Sequence, residues 1–359
     1  MNATQQVTSF GQSLWLDNLS RSLIHDGTLA RLIAEDGITG VTSNPSIFQN
    51  ALATSPYYAD DLAKLKTSEP DVERRYEALV IPDIQAACDL LLPTFEASGG
   101  NDGFVSLEVA PRWAYDAART VEEAKRLSDA VNRRNLLVKV PGTPEGTSAF
   151  EALTALGINV NVTLLFSVAQ TEAVFNAYIR GLATRAKSGA DIRRSKAVAS
   201  LFLSRVDTLV DKQLTDIGTQ EALSLRGKAA VAMAKQAYQR YLALFHGAAF
   251  AELAKQGARP QYLLWASTGV KNPEYHDLLY VDPLIGKETI NTLPDKTLEA
   301  LRNHGKPSAQ VETGVAEANA QLAELAQRGI DMDAVGNTLQ DEGVKSFEAA
   351  FQKLLLQTG

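Results

Sequence analysis

The chain has 359 residues, 45% hydrophobic and 21% charged, the balance of a folded globular protein rather than a disordered one. Acidic residues outnumber basic ones 42 to 35, a formal charge of -7, which speaks against a general hold on nucleic acid but permits a local cationic cluster around a small anion. A single cysteine excludes an internal disulfide, residues 1–12 carry no secretion signal, and no run approaches the roughly 20 apolar residues of a membrane span, so a cytoplasmic location without a membrane partner is expected.

Short β-rich runs alternate with longer helical ones. Strands are expected at 13–17 and 37–44, followed by a long helical insert at about 45–101 with helical patterns near 58–66 and 70–97. Cys88 falls in the apolar stretch 84–92, where it reads as a small buried hydrophobe. Further strands are expected at 104–110, 136–141, 158–166 and 197–204, then a helical region at 220–257, strands at 261–267 and 289–294, and amphipathic helices near 309–328 and 343–356. Such alternation predicts an α/β fold with a parallel sheet, and eight strands predict a closed TIM-type (β/α)8 barrel. The competing open, doubly wound sheet usually opens with a glycine-rich turn. No GxGxxG follows an early strand, and Pro141-Gly-Thr-Pro-Glu-Gly146 lacks the Gly-Lys-Ser/Thr ending of a phosphate loop. With no linker composition anywhere, residues 1–359 read as one elaborated domain whose C-terminal helices, about 309–356, pack on the barrel.

Barrel strands are covered by helices outside and filled by side chains inside, so both faces should be apolar. The exceptions share one parity. Lys139 interrupts an apolar strand in which Leu136, Val138 and Val140 form the helix-facing side. Asn159, Asn161 and Thr163 share one face of the next strand, Ser106 and Glu108 one face of the third, and Thr42 and Asn44 one face of the second, while Asp17 ends the first. Five strands thus send polar groups inward near their C-terminal ends, where barrel enzymes carry their active sites. Left without a function, these buried groups would be costly unless they satisfy one another.

A lysine with apolar neighbours loses its proton more easily, and a neutral amine attacks a carbonyl to form an imine. The protonated imine then accepts electrons from a breaking neighbouring bond while carboxylates move protons, for which Asp17 and Glu108 are the candidates. No competing metal set is apparent, because the four histidines, His25, His246, His276 and His304, are scattered along the chain; no cofactor is expected. His25 reads as a surface or helix-end residue, and no GxSxG nucleophile elbow is present.

The segments Leu16-Asp-Asn-Leu-Ser-Arg21, Gly40-Val-Thr-Ser-Asn-Pro-Ser46, Leu137-Val-Lys-Val-Pro141, Gly157-Ile-Asn-Val-Asn-Val-Thr-Leu-Leu-Phe166 and Ala199-Ser-Leu-Phe-Leu-Ser-Arg205 resemble transaldolases, in order and over about 14–294. The longer branch of that family is the closest match. The resemblance implies transfer of a dihydroxyacetone unit between sugar phosphates, typically from sedoheptulose 7-phosphate to glyceraldehyde 3-phosphate in the pentose phosphate pathway. By analogy, Lys139 forms the Schiff base, Asp17 handles the proton of the cleaved carbinol, and Glu108 with Thr163 positions a proton-shuttling water. Asn44 and Asn161 would hold substrate hydroxyls, with Thr42 and Ser200 nearby. Arg205 matches the family's phosphate-binding arginine. Many members carry a second arginine two residues after the serine ending the seventh strand; here Ser267 is followed instead by Lys271, a point charge rather than a planar fork. The related fructose-6-phosphate aldolases typically carry glutamine in place of Glu108 and tyrosine near Phe202, so both residues favour transfer over release of free dihydroxyacetone. A non-catalytic sugar-phosphate-binding barrel is the alternative from another class, and either a monomer or a homodimer is compatible with the sequence.

Overall fold

The computed structural model describes residues 2–359. Eight strands form: β1 Gln12–Leu16, β2 Ile38–Thr42, β3 Phe104–Glu108, β4 Leu136–Pro141, β5 Val160–Leu165, β6 Ala197–Phe202, β7 Tyr262–Ala266 and β8 Thr289–Leu293. Each pairs in parallel with its neighbours in chain order, and β8 pairs back onto β1 to close the barrel. Several strands stop short of their expected C-terminal limits because the polar residues there turn away to start helices. Asn44 leaves β2 to accept the Ile47 N–H as the N-cap of helix Pro45–Thr54, and Ser204 opens helix Ser204–Ile217.

The inner face is layered. Beneath four of the inward polar residues near the mouth lies an apolar one two positions earlier: Trp15 under Asp17, Leu137 under Lys139, Val198 under Ser200, and Ile290 under Thr292. All four apolar side chains are buried. Trp15 lies flat against Gly40, where a Cβ would come within 2.4 Å of the indole, and its ring N–H donates to Asp102 at 2.9 Å. The absence of a side chain at Gly40 is therefore what admits the tryptophan to the barrel core.

The insert holds three helices rather than the two expected. Helix Pro45–Thr54 is short and starts on a proline at its first turn; Ala59–Ser68 and Val72–Ala97 follow. Against expectation, Val72–Ala97 is long and apolar enough to cross a membrane by length and composition. In the fold it packs on β3 and on the C-terminal helix, and its buried Asp83 accepts from Arg21 at 2.9 Å and Tyr58 at 2.7 Å. Cys88 is fully buried on this helix, as the small buried hydrophobe read from sequence, and burial pushes its thiol up to about 12.

The last helix, Met332–Thr358, begins well before the expected 343, and Val315–Gln327 begins later than 309. Two glycines hid the N-terminal part of the last helix from a hydrophobic pattern, and they serve close approach. A Cβ on Gly336 would lie 2.7 Å from the Ser167 Cβ, and one on Gly343 would lie 2.9 Å from a Leu164 methyl. Leu164 itself is left-handed, with φ 60, where the register between β5 and β6 slips. Between the two glycines, the buried Gln340 donates to the carbonyls of Gly142 and Leu164, both at 2.9 Å. That clamp holds the helix across the C-terminal rim and brings Phe347 to the barrel mouth. Replacing Gln340 with methionine keeps the volume but strands two carbonyls, so a loss of about 1–3 kcal/mol is expected in denaturant unfolding, with no change in secondary structure by circular dichroism.

Candidate active site

Lys139 is 5% exposed and points into the barrel. Its ammonium donates to the Ser43 carbonyl at 2.9 Å and lies 3.6 Å from Glu108 Oε2. The register explains this closeness: Glu108 of β3 pairs with Lys139 of β4, which pairs with Asn161 of β5. Three polar residues thus form one rung around the inner wall. Burial pushes the Glu108 carboxyl up to about 7, against the pull of the Lys139 ammonium, with the Asp17 charge adding to the rise.

Asp17 follows β1 directly. Burial raises its carboxyl above the usual range, opposed by Lys139 and by the Thr42 hydroxyl, which donates to Oδ1 at 2.8 Å. Thr42 also shares a hydrogen bond of 2.6 Å with Thr292 of β8. Asn161 is buried within this rung, accepting from Ser200 at 2.7 Å and donating to Ser106 at 3.1 Å, so both ends of its amide are engaged by side chains. Asn44 caps its helix through Oδ1 and reaches the same cavity.

A cavity of about 180 Å3 opens at the C-terminal ends of the strands. Asp17, Thr42, Asn44, Lys139, Thr163, Ser200, Phe202, Arg205 and Ser267 all line it. Glu108 and Asn161 stand one layer behind. Lys271 lies apart, exposed on a neighbouring cleft with Asp211 and Tyr275, although its charge is still felt at Asp17. A wider cleft of about 580 Å3 between the helices Val168–Lys187 and Val315–Gln327 has no buried amine and carboxylate converging on it, so size does not locate the chemistry.

Arg205 makes no ion pair among the described residues; its guanidinium lies 5.7 Å from the Phe202 ring centre, and Phe202 packs on Phe166 at 5.1 Å. Burial pushes the guanidinium down, opposed by the Glu342 charge, and with no carboxylate at ion-pair distance its donors are left for an anion. Ser267, at the end of β7, is left-handed with φ 55, and its hydroxyl shares a hydrogen bond of 2.8 Å with Ser204. Strained backbone of this sort concentrates at working sites.

Four participants were not anticipated. The Ser43 carbonyl has no side-chain signature. Thr292 could have been found from the same parity reasoning, since it is the polar residue at the C-terminal end of β8. Ser46 and Phe347 lie on helices, outside any strand pattern. The histidines are also less scattered than the sequence implies, because His276 and His304 come together on the surface with ring centres 6.0 Å apart. His25 stacks on Tyr57 at 4.8 Å, away from the cavity.

An amine held by a carbonyl and flanked by two buried carboxyls, at the mouth of a closed barrel, is the equipment of imine chemistry. The family model for transaldolase/fructose-6-phosphate aldolase matches residues 14–358. The chain belongs to the transaldolase/fructose-6-phosphate aldolase family. It is 73% identical over 359 residues, 100% of both chains, to the transaldolase of Thiobacillus denitrificans. It is 49% identical to the transaldolase of Neisseria gonorrhoeae over 99% of both, and 45% identical to transaldolase 1 of Streptomyces coelicolor over 98% of this chain and 93% of that one. In this family member the nearest cation to Glu108 is Lys139, which holds the carboxyl down. Lys139→Met removes that cation, so Glu108 should titrate above about 7, followed as the carboxyl 13C shift of labelled glutamate with and without Glu108→Gln for assignment.

Proposed function

We propose that this chain is a transaldolase that moves a dihydroxyacetone unit between sugar phosphates through an imine on Lys139. The observation that carries this reading is the Lys139 amine, buried at a cavity wall, 3.6 Å from Glu108 and within the field of Asp17. Addition of the amine to the C2 carbonyl of a ketose phosphate gives a carbinolamine, which loses water to form the imine. Glu108 Oε2 and Thr163 Oγ1 are both buried without a hydrogen-bond partner in the protein. They supply an acceptor and a hydroxyl that suit the proton movements of that step, and a Glu108 carboxyl near 7 exchanges its proton readily around neutral pH.

Asp17 then takes the proton from the C4 hydroxyl. The C3–C4 bond breaks, its electron pair moves into the protonated imine to leave an enamine, and the C4 fragment departs as an aldose phosphate. An acceptor aldehyde reverses these steps, with Asp17 returning the proton to the new hydroxyl. Thr42, tied to both Asp17 and Thr292, fixes the carboxylate, while Asn44 and Ser200 face the space for the three-carbon unit. Asn161 acts from behind by orienting Ser200. Arg205, free of acidic partners, suits the phosphate, and Lys271 contributes at longer range. Glu108 and Phe202 favour transfer over release, the pairs sedoheptulose 7-phosphate with glyceraldehyde 3-phosphate and fructose 6-phosphate with erythrose 4-phosphate fit the family, and the place of such a reaction is the pentose phosphate pathway in the cytoplasm. We read the whole chain as one barrel domain that needs no cofactor.

Incubation with fructose 6-phosphate and borohydride should leave a reduced three-carbon adduct on Lys139 by peptide mass spectrometry; an adduct elsewhere removes the mechanism. Free dihydroxyacetone accumulating without acceptor, at a rate matching transfer, would instead mark an aldolase. Arg205→Ala should raise KM for the phosphorylated ketose at least tenfold, as loss of a charge-assisted bond of about 1.5–3 kcal/mol implies, and Lys271→Ala should raise it less. Steady-state kinetics on the two variants checks both.

A further inference from the structure

Two groups of side chains outside the cavity gather donors at metal-ligating distance among the described residues. One, formed by Glu73, Glu77 and Glu123, is already neutralised by Arg112 and Arg126. The other has no cation near it. His276 and Asp277 lie on the segment joining β7 to β8, and His304 ends helix Asp295–His304, so two distant pieces of chain meet there. One ligand atom from each lies within 4.8 Å of the others.

We propose that His276, Asp277 and His304 form a binding site for a divalent transition metal, Zn2+ being the best fit. Imidazole nitrogen at about 2.0–2.1 Å and carboxylate oxygen at about 2.0–2.2 Å around a tetrahedral ion place neighbouring ligand atoms roughly 3.4 Å apart. The two separations to Asp277 Oδ1 bracket that value, at 2.9 Å from His304 Nε2 and 3.9 Å from His276 Nδ1. The third separation, between the two imidazoles, is within 4.8 Å, so ligation draws exposed side chains together. It also costs one long hydrogen bond, the 3.2 Å contact from Leu278 N–H to His276 Nδ1. The His304 proton that now bridges to Asp277 moves to Nδ1, giving the neutral tautomer a metal requires.

A neighbouring group supports the same site. Asp282 Oδ1 is buried without a hydrogen-bond partner; burial raises its carboxyl, opposed by the charges of His276 and His304. An unsatisfied buried oxygen within the electrostatic reach of two imidazoles is a feature a nearby cation helps to explain. Two carboxylates balance a divalent ion, and two imidazoles with oxygen donors match the borderline softness of zinc better than that of calcium or magnesium. The ion would tie the segment carrying Ser267 and Lys271 to the helix after β8. The site lies away from Lys139, and the proposal does not depend on the reaction assigned there.

The test uses tag-free, chelator-treated full-length protein, because a polyhistidine tag would bind the probe. Titration calorimetry with ZnCl2 should give one saturable site per chain, and Co2+ should produce the visible bands of a tetrahedral centre. His304→Ala and Asp277→Asn should each weaken Zn2+ binding at least tenfold, while His246→Ala leaves it unchanged. All the altered groups are exposed, and circular dichroism without metal checks that each variant is folded. Absence of saturable Zn2+ binding by the unaltered protein, or equal affinity in His304→Ala, overturns the proposal. Loss of a variant to misfolding leaves the Co2+ spectrum of the unaltered protein, with metal-induced NMR shifts confined to His276 and His304, as the deciding observation; shifts at His25 or His246 instead would also overturn it.

Discussion

The contact between Lys139 and Glu108 organises the rest of the site. Neither group is stable alone in a barrel core, since an unpaired buried charge is among the most destabilising things a fold can hold. The register of β3 and β4 puts the two side by side in one rung, and the Ser43 carbonyl gives the ammonium a direct hydrogen bond. Asp17 then adds a second acid near one base. Burial lifts both carboxyls, that of Glu108 to about 7, so Glu108 gains and loses a proton near neutrality rather than holding a fixed charge. A site that must add, remove and return protons within one cycle needs that looseness. The network of Asn161, Ser200 and Ser106 does the opposite, because its mutual hydrogen bonds fix the wall against which the titrating groups work.

Much of this was legible before any coordinates. Strand periodicity is local, so a lysine among alternating valines and leucines declares its direction without knowledge of the fold, and the same parity located Glu108, Thr163 and Thr42. What parity does not encode is depth and competition. Asn161 points inward as expected, yet neighbouring side chains use both ends of its amide. Asn44 belongs to a helix cap before it belongs to the cavity, and Lys271 sits on a different cleft because the segment after β7 turns outward. The meeting of His276 with His304 depends on tertiary packing alone. The early start of the C-terminal helix was hidden because Gly336 and Gly343 look like breakers in sequence and act as contact points in space.

That helix also answers how strained backbone persists at the mouth. A leucine in the left-handed region costs of order 1 kcal/mol or more and reverts unless its surroundings forbid it. Gln340 takes the Leu164 carbonyl while Gly343 accommodates the leucine side chain, so the bulge after Thr163 is held from outside the barrel. The residue that presents a hydroxyl to the cavity is thus positioned by an element remote in sequence.

The apolar layer under the site, from Trp15 through Leu137, Val198 and Ile290, makes the chamber a blind pit. With that floor closed, the cavity at Lys139 opens at the C-terminal ends of the strands. In the proposed reaction the first aldose leaves before the second arrives, and the three-carbon fragment waits on Lys139 in between. Alternate, turnstile-like kinetics would follow from that covalent wait, above a floor made by a tryptophan lying on a glycine.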